Sequence, residues 1–239
     1  MSAIFEDYAG FGSATFKGGS DFTQAAFEDY ADFERTTFEG GALFGSAIFR
    51  GGAGFARATF EDYAWFESAT FQRNAYFRSA TFQGDAGFVW ATFLDADEFG
   101  PLVCAGRLLL SGAKFGSPVT LSGAVRRLEC RRTRWSSTAE IRLRYATVDF
   151  AHAVFEYPLT IAAEPDPFVL DDGQPLAEDL FPSAYDPGVR VVSLRGVDAA
   201  HLVLADLDLW DCLFAGTVHL DQGCDPDTRQ RGNELILKS

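Results

Sequence analysis

Several features that would mark a membrane, secreted or metal-binding protein are missing from this 239-residue sequence. No apolar run approaches about 18 residues, the length that a membrane-spanning helix needs. The N-terminus has no basic region followed by an apolar stretch, so a secretory signal peptide is not expected. The four cysteines, Cys104, Cys130, Cys212 and Cys224, show no CxxC spacing, which favours free thiols in a reducing compartment. We therefore expect a cytoplasmic protein that does not associate with membranes.

Basic residues and histidines are also few. Lysine and arginine number 20 against 34 aspartates and glutamates, which leaves a net charge of −14. So acidic a chain is not expected to bind nucleic acid directly or to lie on an anionic membrane. His152, His201 and His219 have no metal-ligand partner at a diagnostic spacing, and no pair of carboxylates stands out as an acid–base couple. We predict a protein that is not an enzyme, with no metal, no cofactor and no catalytic residue.

Phenylalanine is in excess, with 24 residues against 7 tyrosines and 4 tryptophans. In the N-terminal part its spacing alternates strictly between six and five, at positions 5, 11, 16, 22, 27, 33, 38, 44, 49, 55, 60, 66, 71, 77, 82, 88, 93 and 99. Alanine stands two residues before the ring in 15 of these 18 cases, the exceptions being Ser20, Thr36 and Asp97. Glycine pairs inside this eleven-residue period argue against a helix.

The A-x-F unit resembles the repeat of the pentapeptide-repeat family, which is roughly A-(D/N)-(L/F)-x-x. The resemblance covers about residues 3–161 and again about residues 192–220. It implies an all-β fold, a right-handed quadrilateral parallel β-helix with one repeat on each side and four repeats in each coil. Because two of the four sides carry six residues in this sequence, we infer about 22 residues per coil.

Simple geometry agrees with this fold. Residues two apart point to the same side of an extended segment, so Ala and Phe both point inward, and the small Ala leaves room for the rings. The extra residue of each six-step falls in a long corner, such as "EDY" after Phe5 or "RGG" after Phe49. We expect Gly, Asn and Asp in these corners to accept a left-handed turn.

The pattern divides the chain into four parts. The repeat β-helix is predicted for residues 1–161, with the register of residues 122–149 left open because the repeat degenerates there. Five of the nine prolines fall in residues 162–190, which we interpret as an acidic inserted loop with a short helix near Leu176–Leu180. Repeat coils return at a five-residue step in residues 191–222, and residues 223–239 form a polar tail or cap.

Charge is distributed unevenly along the chain. Residues 1–103 carry a net charge of −9, residues 104–161 carry +5, and residues 162–239 carry −10. The positive middle contains five candidate anion-binding residues: Arg126, Arg127, Arg131, Arg132 and Arg134. The alternative is that this middle meets the acidic loop of the same chain or the acidic part of a second copy.

The resemblance also bears on function, because some pentapeptide-repeat proteins resemble B-DNA in width and charge. They bind type II topoisomerases in place of DNA and protect them from quinolones or natural toxins. DNA as long as the first coils, about 22 Å, would carry about 13 charges, against the net −9 of residues 1–103. We expect a non-catalytic protein-binding module, most concretely an acidic DNA mimic that binds DNA gyrase or another type II topoisomerase. The alternative is a structural scaffold with no nucleic-acid connection.

The candidate contact residues are the side chains of two long corners and three outward apolar side chains: Glu6, Asp7, Tyr8, Glu28, Asp29, Tyr30, Leu43, Trp65 and Trp90. Exposed apolar side chains commonly mark an interface, and the alternative is that these stack on their neighbours along the rod. Since the repeat begins at Ala3 without a cap, we also expect a homodimer or a partner that covers the first coil.

Overall fold

The chain winds into a parallel β-solenoid with four sides in each coil. A computed structural model describes residues 3–182 and 186–220, together with the backbone of Glu234–Ile236. In these residues no α-helix is present, and no segment forms a helix that could cross a lipid bilayer. The predicted tail, residues 223–239, lies outside the described residues apart from that last short strand.

Seventeen two-residue strands form the regular N-terminal coils: β1 (Ile4–Phe5), β2 (Ala9–Gly10), β3 (Thr15–Phe16), β4 (Ser20–Asp21), β5 (Ala26–Phe27), β6 (Ala31–Asp32), β7 (Thr37–Phe38), β8 (Ala42–Leu43), β9 (Ile48–Phe49), β10 (Ala53–Gly54), β11 (Thr59–Phe60), β12 (Ala64–Trp65), β13 (Thr70–Phe71), β14 (Ala75–Tyr76), β15 (Thr81–Phe82), β16 (Ala86–Gly87) and β17 (Thr92–Phe93). The strands that follow are often longer: β18 (Glu98–Leu109), β19 (Lys114–Phe115), β20 (Val119–Glu129), β21 (Arg134–Trp135), β22 (Ala139–Arg144), β23 (Thr147–Asp149), β24 (Val154–Phe155), β25 (Leu159–Ala163), β26 (Val189–Ser193), β27 (Leu202–Ala205), β28 (Leu207–Asp208) and β29 (Glu234–Ile236). Only the β27–β29 pairing is antiparallel among the strands described.

The register between strands confirms the coil length predicted for the N-terminal part. On the first side, Phe5 pairs with Phe27 and Phe27 with Phe49, so one coil takes 22 residues. Eight strands line up on this side, from β1 to β24. The third "EDY" follows Phe60 on β11, which belongs to the side opposite β1, because Phe60 lies two and a half coils after Phe5.

Stacked phenylalanine rings fill the axis. Every repeat Phe from Phe27 to Phe99 is fully buried. Rings one coil apart stack face to face, as for Phe33 and Phe55, whose centroids are 5.0 Å apart at 1°. Rings on facing sides meet edge to face, as for Phe44 and Phe55 at 87°. Both are favourable aromatic geometries.

The short corners are those of the five-residue steps. They, rather than the long corners, contain the residues with left-handed backbone conformation. In each five-step, the N–H of an Ala, or of Thr36 in the step after Phe33, donates to the carbonyl of the Phe three residues earlier, as from Ala14 to Phe11 at 3.0 Å. The residue before this donor has φ near +60°, as at Ser13 and Arg35. These features define a type II turn. The expectation of left-handed glycines in the long corners is therefore wrong, since the glycines there do not have a positive φ.

Glycine serves the long corners by allowing close approach between coils. A Cβ placed on Gly40 would lie 2.8 Å from the carbonyl carbon of Gly18 in the preceding coil. The same crowding recurs at Gly51, whose Cβ would lie 2.5 Å from the carbonyl carbon of Asp29. Because the atoms met are backbone, they cannot swing aside. The long corners therefore stack backbone on backbone.

The coil shortens from 22 to 20 residues halfway along the rod. Strand β18 pairs Glu98 with Thr120 but Arg107 with Arg127, and two irregularities in this ladder each remove one residue. From there Phe115 pairs with Trp135 and Trp135 with Phe155. The register of residues 122–149, left open by the sequence, is thus that of a 20-residue coil.

The inserted segment lies between β25, which ends at Ala163, and β26, which begins at Val189. The helix predicted near Leu176–Leu180 is absent. The Leu176 N–H donates instead to the carbonyl of Phe168 at 2.7 Å, beside a bridge between Val169 and Pro175. These backbone contacts belong to a hairpin rather than to a helix.

The insert packs back against the rod through a second apolar cluster. Leu176 and Phe181 are buried against outward-facing Val103 and Ala124, and the rings of Phe181 and Tyr145 stack with centroids 4.6 Å apart. This cluster is separate from the axial core.

Carboxylates of the insert hold arginines of the rod. The buried Arg144 Nε donates to Glu178 Oε2 at 3.1 Å, and the Tyr145 hydroxyl donates to the same oxygen at 2.9 Å. Arg142 Nε lies 2.6 Å from Glu164 Oε1. Part of the positive middle of the chain therefore meets the acidic insert of the same molecule.

We predict that Gly40→Ala lowers the free energy of unfolding by about 1–3 kcal/mol, because its methyl group would meet the backbone of Gly18 and Gly19. Gly18→Ala, one coil earlier in the same corner column, is the matched control, since its Cβ meets nothing within 4 Å. It should be neutral or stabilising by about 0.5 kcal/mol. Denaturant unfolding measures both, and equal losses would contradict the close-approach explanation.

We predict that Glu178→Ala costs about 3–5 kcal/mol, because it leaves the Arg144 guanidinium buried without its counter-charge. Asp172→Asn is the control, since Asp172 pairs with Arg57 at 3.4 Å on the exposed surface, where a pair contributes about 0–1 kcal/mol. Urea unfolding and limited proteolysis of residues 164–188 report the two effects. A protease-resistant insert in the Glu178→Ala variant would show that the pair does not hold it.

Candidate functional site

The predicted acidic corner column lies along one edge of the first coils. Glu6 and Asp7 lie one coil from Glu28 and Asp29, because Phe5 and Phe27 are paired. Arg50, in the next coil, extends this column and donates to Glu28 at 2.6 and 2.7 Å. The column therefore ends in a salt bridge rather than in a third pair of acids.

Two tyrosines stack beside these acids. The rings of Tyr8 and Tyr30 are parallel within 6°, with centroids 6.3 Å apart. The Tyr8 hydroxyl donates to Asp32 Oδ2 at 2.6 Å, and this hydrogen bond raises the pKa of Tyr8. Burial, and then the charges of Glu34 and Asp32, raise the pKa of Tyr30 to about 12. Both phenols are therefore neutral hydrogen-bond donors within an acidic surface.

Outward aromatic rings lie flat on glycines of adjacent coils. A Cβ on Gly87 would be 2.1 Å from Trp65 Cε3, and one on Gly112 would be 2.3 Å from the same atom of Trp90. Likewise, a Cβ on Gly54 would be 2.2 Å from the Tyr30 hydroxyl oxygen. These contacts support the prediction of stacking along the rod, since each ring needs a residue without a side chain beneath it.

The same rings still leave apolar surface in contact with solvent. Leu43 and Trp65 are paired in register on the fourth side and are both half-buried. They line a shallow groove with Val89 and Thr23. Trp90 has a φ of +59° and exposes 56% of its surface. Stacking along the rod therefore accounts for only part of this surface, and a role in binding stays a prediction.

The five candidate anion-binding arginines fall in three places. Arg134 lies on β21 and forms a salt bridge with Glu156 in the next coil. Arg126 is exposed on β20. The other three, Arg127, Arg131 and Arg132, line one cleft of about 420 Å³.

Two basic side chains that the sequence did not single out complete this cleft, His152 and Arg195. His152 lies one short coil after Arg132, in the same left-handed corner. Arg195 follows the insert. Only the shorter coil and the insert boundaries could have placed these side chains beside Arg132.

The repeat seen in the structure is also found by comparison with protein families. The family model for pentapeptide repeats, described as nine copies, matches residues 2–48 and, in an overlapping placement, residues 23–70. This part of the chain belongs to the pentapeptide-repeat family. Neither a curated protein nor a solved structure matches it. The coils continue past the matched region in the same register, as the pairing of Thr70 with Thr92 shows.

The three cysteines that the structure describes have thiols of raised pKa, which makes them poor nucleophiles. Burial raises the pKa of Cys104 to about 12 and raises that of the fully buried Cys130 well above its usual range. Burial also raises the pKa of Cys212 to about 11. No group of His, Cys, Asp and Glu side chains able to hold a metal ion occurs in the described part of the chain.

We predict that the native thiols of a Cys224→Ser variant react slowly with DTNB at pH 8. A pKa raised to about 12 leaves Cys104 protonated, and only the thiolate attacks. Labelling should be at least about a hundredfold slower than in denaturant. Cys224, which lies outside the described residues, is removed so that it does not dominate the signal. Rapid native labelling of Cys104, located by peptide mass mapping, would contradict this.

Proposed function

We propose that this pentapeptide-repeat protein works without catalysis, as a rod whose acidic N-terminal coils bind another protein. The supporting observation is the number of carboxylates without a counter-charge. Residues 1–103 contain 15 acids, and four of them form salt bridges in the described structure: Glu28, Asp85, Asp95 and Glu98. The remaining acids leave the surface of these coils strongly negative.

The insert adds to this negative character. Residues 1–103 contain six basic residues, and Arg57 and Arg78 are two of them. Arg57 pairs with Asp172 at 3.4 Å, and Arg78 pairs with Asp171. These contacts cancel two positive charges that would otherwise interrupt the acidic surface. The partner that we infer is therefore a protein with a basic binding surface.

The most concrete version of this proposal is a DNA mimic that binds a type II topoisomerase such as DNA gyrase. Strand spacing fixes the rise at about 4.8 Å per coil, so stacked corners repeat their charges at regular intervals along the rod. B-DNA has one charge per about 1.7 Å, a density that the net −9 of residues 1–103 approaches. A basic channel built for DNA is the kind of surface that such a rod fits.

The alternative is a structural scaffold, favoured by the aromatic rings that lie on glycines of adjacent coils. Rings such as Trp65 stabilise the rod without any partner. The homodimer expected from the sequence stays a proposal under either version. The partly buried rings of Phe5, Phe11, Phe16 and Phe22 are the surface that a second copy would cover.

We predict that the purified protein changes gyrase supercoiling activity at micromolar concentration, with and without a quinolone. The triple variant Glu6→Gln, Asp7→Asn, Asp29→Asn should lose about tenfold in potency, since it removes three exposed acids from the corner column. Raising the salt concentration should weaken the wild-type effect as well.

The matched control is Asp166→Asn, Asp179→Asn, Asp211→Asn, which changes the net charge equally at exposed positions outside the N-terminal coils. It should behave as the wild type. If the wild-type protein leaves gyrase unaffected, the topoisomerase version is wrong and the scaffold is preferred. If both triple variants lose the same potency, net charge rather than the corner column causes the effect.

A further inference from the structure

A cleft on the C-terminal half of the rod carries a charge opposite to that of the acidic coils. Its basic lining residues are Arg127, Arg131, Arg132, His152 and Arg195, and among the residues that the structure describes the one carboxylate lining it is Asp149. Its basic side chains come from three successive coils, because Arg132, His152 and Gly196 occupy the same left-handed corner position in each. Leu213 comes from the next coil, where it pairs with Ser193. No described residue of the insert lines this cleft.

Two of the arginines are already neutralised by their own carboxylates. Arg131 donates from Nε to Asp149 Oδ2 at 2.7 Å, and Asp149 is buried. Asp149 Oδ1 also accepts the N–H of Ala151 at 2.9 Å, so this carboxylate is held in place by the corner backbone. Arg127 Nε donates to Glu129 Oε1 at 2.8 Å. These pairs orient guanidiniums around the cleft without adding net charge.

Arg132 and Arg195 are left with no ion pair or side-chain hydrogen bond in the residues the structure describes. Both are exposed, and they lie two coils apart, about 10 Å at the strand spacing. His152 stands between them, and its imidazole lies on Gly196, where a Cβ would be 2.4 Å from Nδ1. The cleft therefore has two uncompensated positive charges and an imidazole between them.

The remaining wall is apolar. Val192 and Leu213 line the cleft beside Ser193, and Leu213 exposes 54% of its surface. A guanidinium presents a planar fork of donors that matches the oxygens of a phosphate group. An adjacent apolar wall suits an organic substituent on that group.

We propose that this cleft binds a phosphate monoester, with the dianionic phosphate between Arg132 and Arg195 and its organic group against Val192 and Leu213. Arg131 contributes further donors, and Asp149 positions it. This site is independent of the acidic surface assigned above to a protein partner, because the two lie on different coils and have opposite charge.

Isothermal titration of the full-length protein with phenyl phosphate, at constant ionic strength, tests the proposal. We expect saturable binding at one site per chain, tighter than that of inorganic phosphate, which lacks the apolar group. Benzoate keeps the ring but has one negative charge and should bind at least about tenfold more weakly than phenyl phosphate. Phenyl phosphate binding no tighter than inorganic phosphate would overturn the role of the apolar wall.

Two variants probe the arginines. Arg195→Ala should weaken phenyl phosphate binding at least about tenfold, because a charged hydrogen-bonding partner is lost. Arg132→Asn should do the same, and Asn is chosen because the position has a φ of +55°, which Asn tolerates better than Ala. A thermal midpoint equal to that of the wild type shows that each variant is folded. Should Arg132→Asn fail to fold, Arg195→Ala and Arg195→Lys carry the test, and Lys should restore part of the affinity.

The matched control is Arg134→Ala, which removes the same charge two residues from Arg132 but outside the cleft, where Arg134 pairs with Glu156. It should bind phenyl phosphate as the wild type does. The proposal is overturned if the wild type shows no saturable binding at millimolar phenyl phosphate. It is also overturned if Arg134→Ala loses as much affinity as Arg195→Ala.

Discussion

Face-to-face stacking of phenylalanine rings along the axis is the constraint on which the rest of this rod depends. Rings one coil apart are separated by about the same distance as hydrogen-bonded strands, 4.6 Å for Phe60 and Phe82 and 5.0 Å for Phe33 and Phe55. The axial core and the backbone ladder therefore impose one common rise. Replacing one of these stacked rings by a smaller residue would leave a cavity in the axial core.

Because every coil rises by the same distance, equivalent outward residues of successive coils lie in a column. At some long corners, the backbones of successive coils approach so closely that a Cβ would clash, as at Gly40 above Gly18. Where an aromatic ring lies outside, the adjacent coil offers a glycine, as Gly87 does for Trp65. Charged residues follow the same geometry, and Glu28 meets Arg50 because they are one coil apart. Side chains that contact each other along the rod are thus commonly one coil apart in the sequence.

The change of coil length and the insert divide the rod into two chemically different halves. The longer N-terminal coils are rich in carboxylates without partners, whereas the shorter coils contain arginines paired with acids of the next coil or of the insert. Arg144 with Glu178 is the buried example, and Arg131 with Asp149 is the one at the basic cleft. The acidic coils and the basic cleft therefore present surfaces of opposite charge.

The sequence by itself determined the inward ladder, the length of the N-terminal coil, and the outward columns of Leu43 with Trp65 and Tyr8 with Tyr30. Those features depend on the spacing of residues along the chain, and that spacing is visible in the repeat itself. Only the tertiary structure decided why the corner glycines are needed, that residues 176–180 form no helix, and that His152 and Arg195 join Arg132. These outcomes depend on which backbones meet between coils and on where the insert rejoins the rod. Both follow from the register between successive coils, which cannot be read from the spacing of a degenerate repeat whose coil length varies.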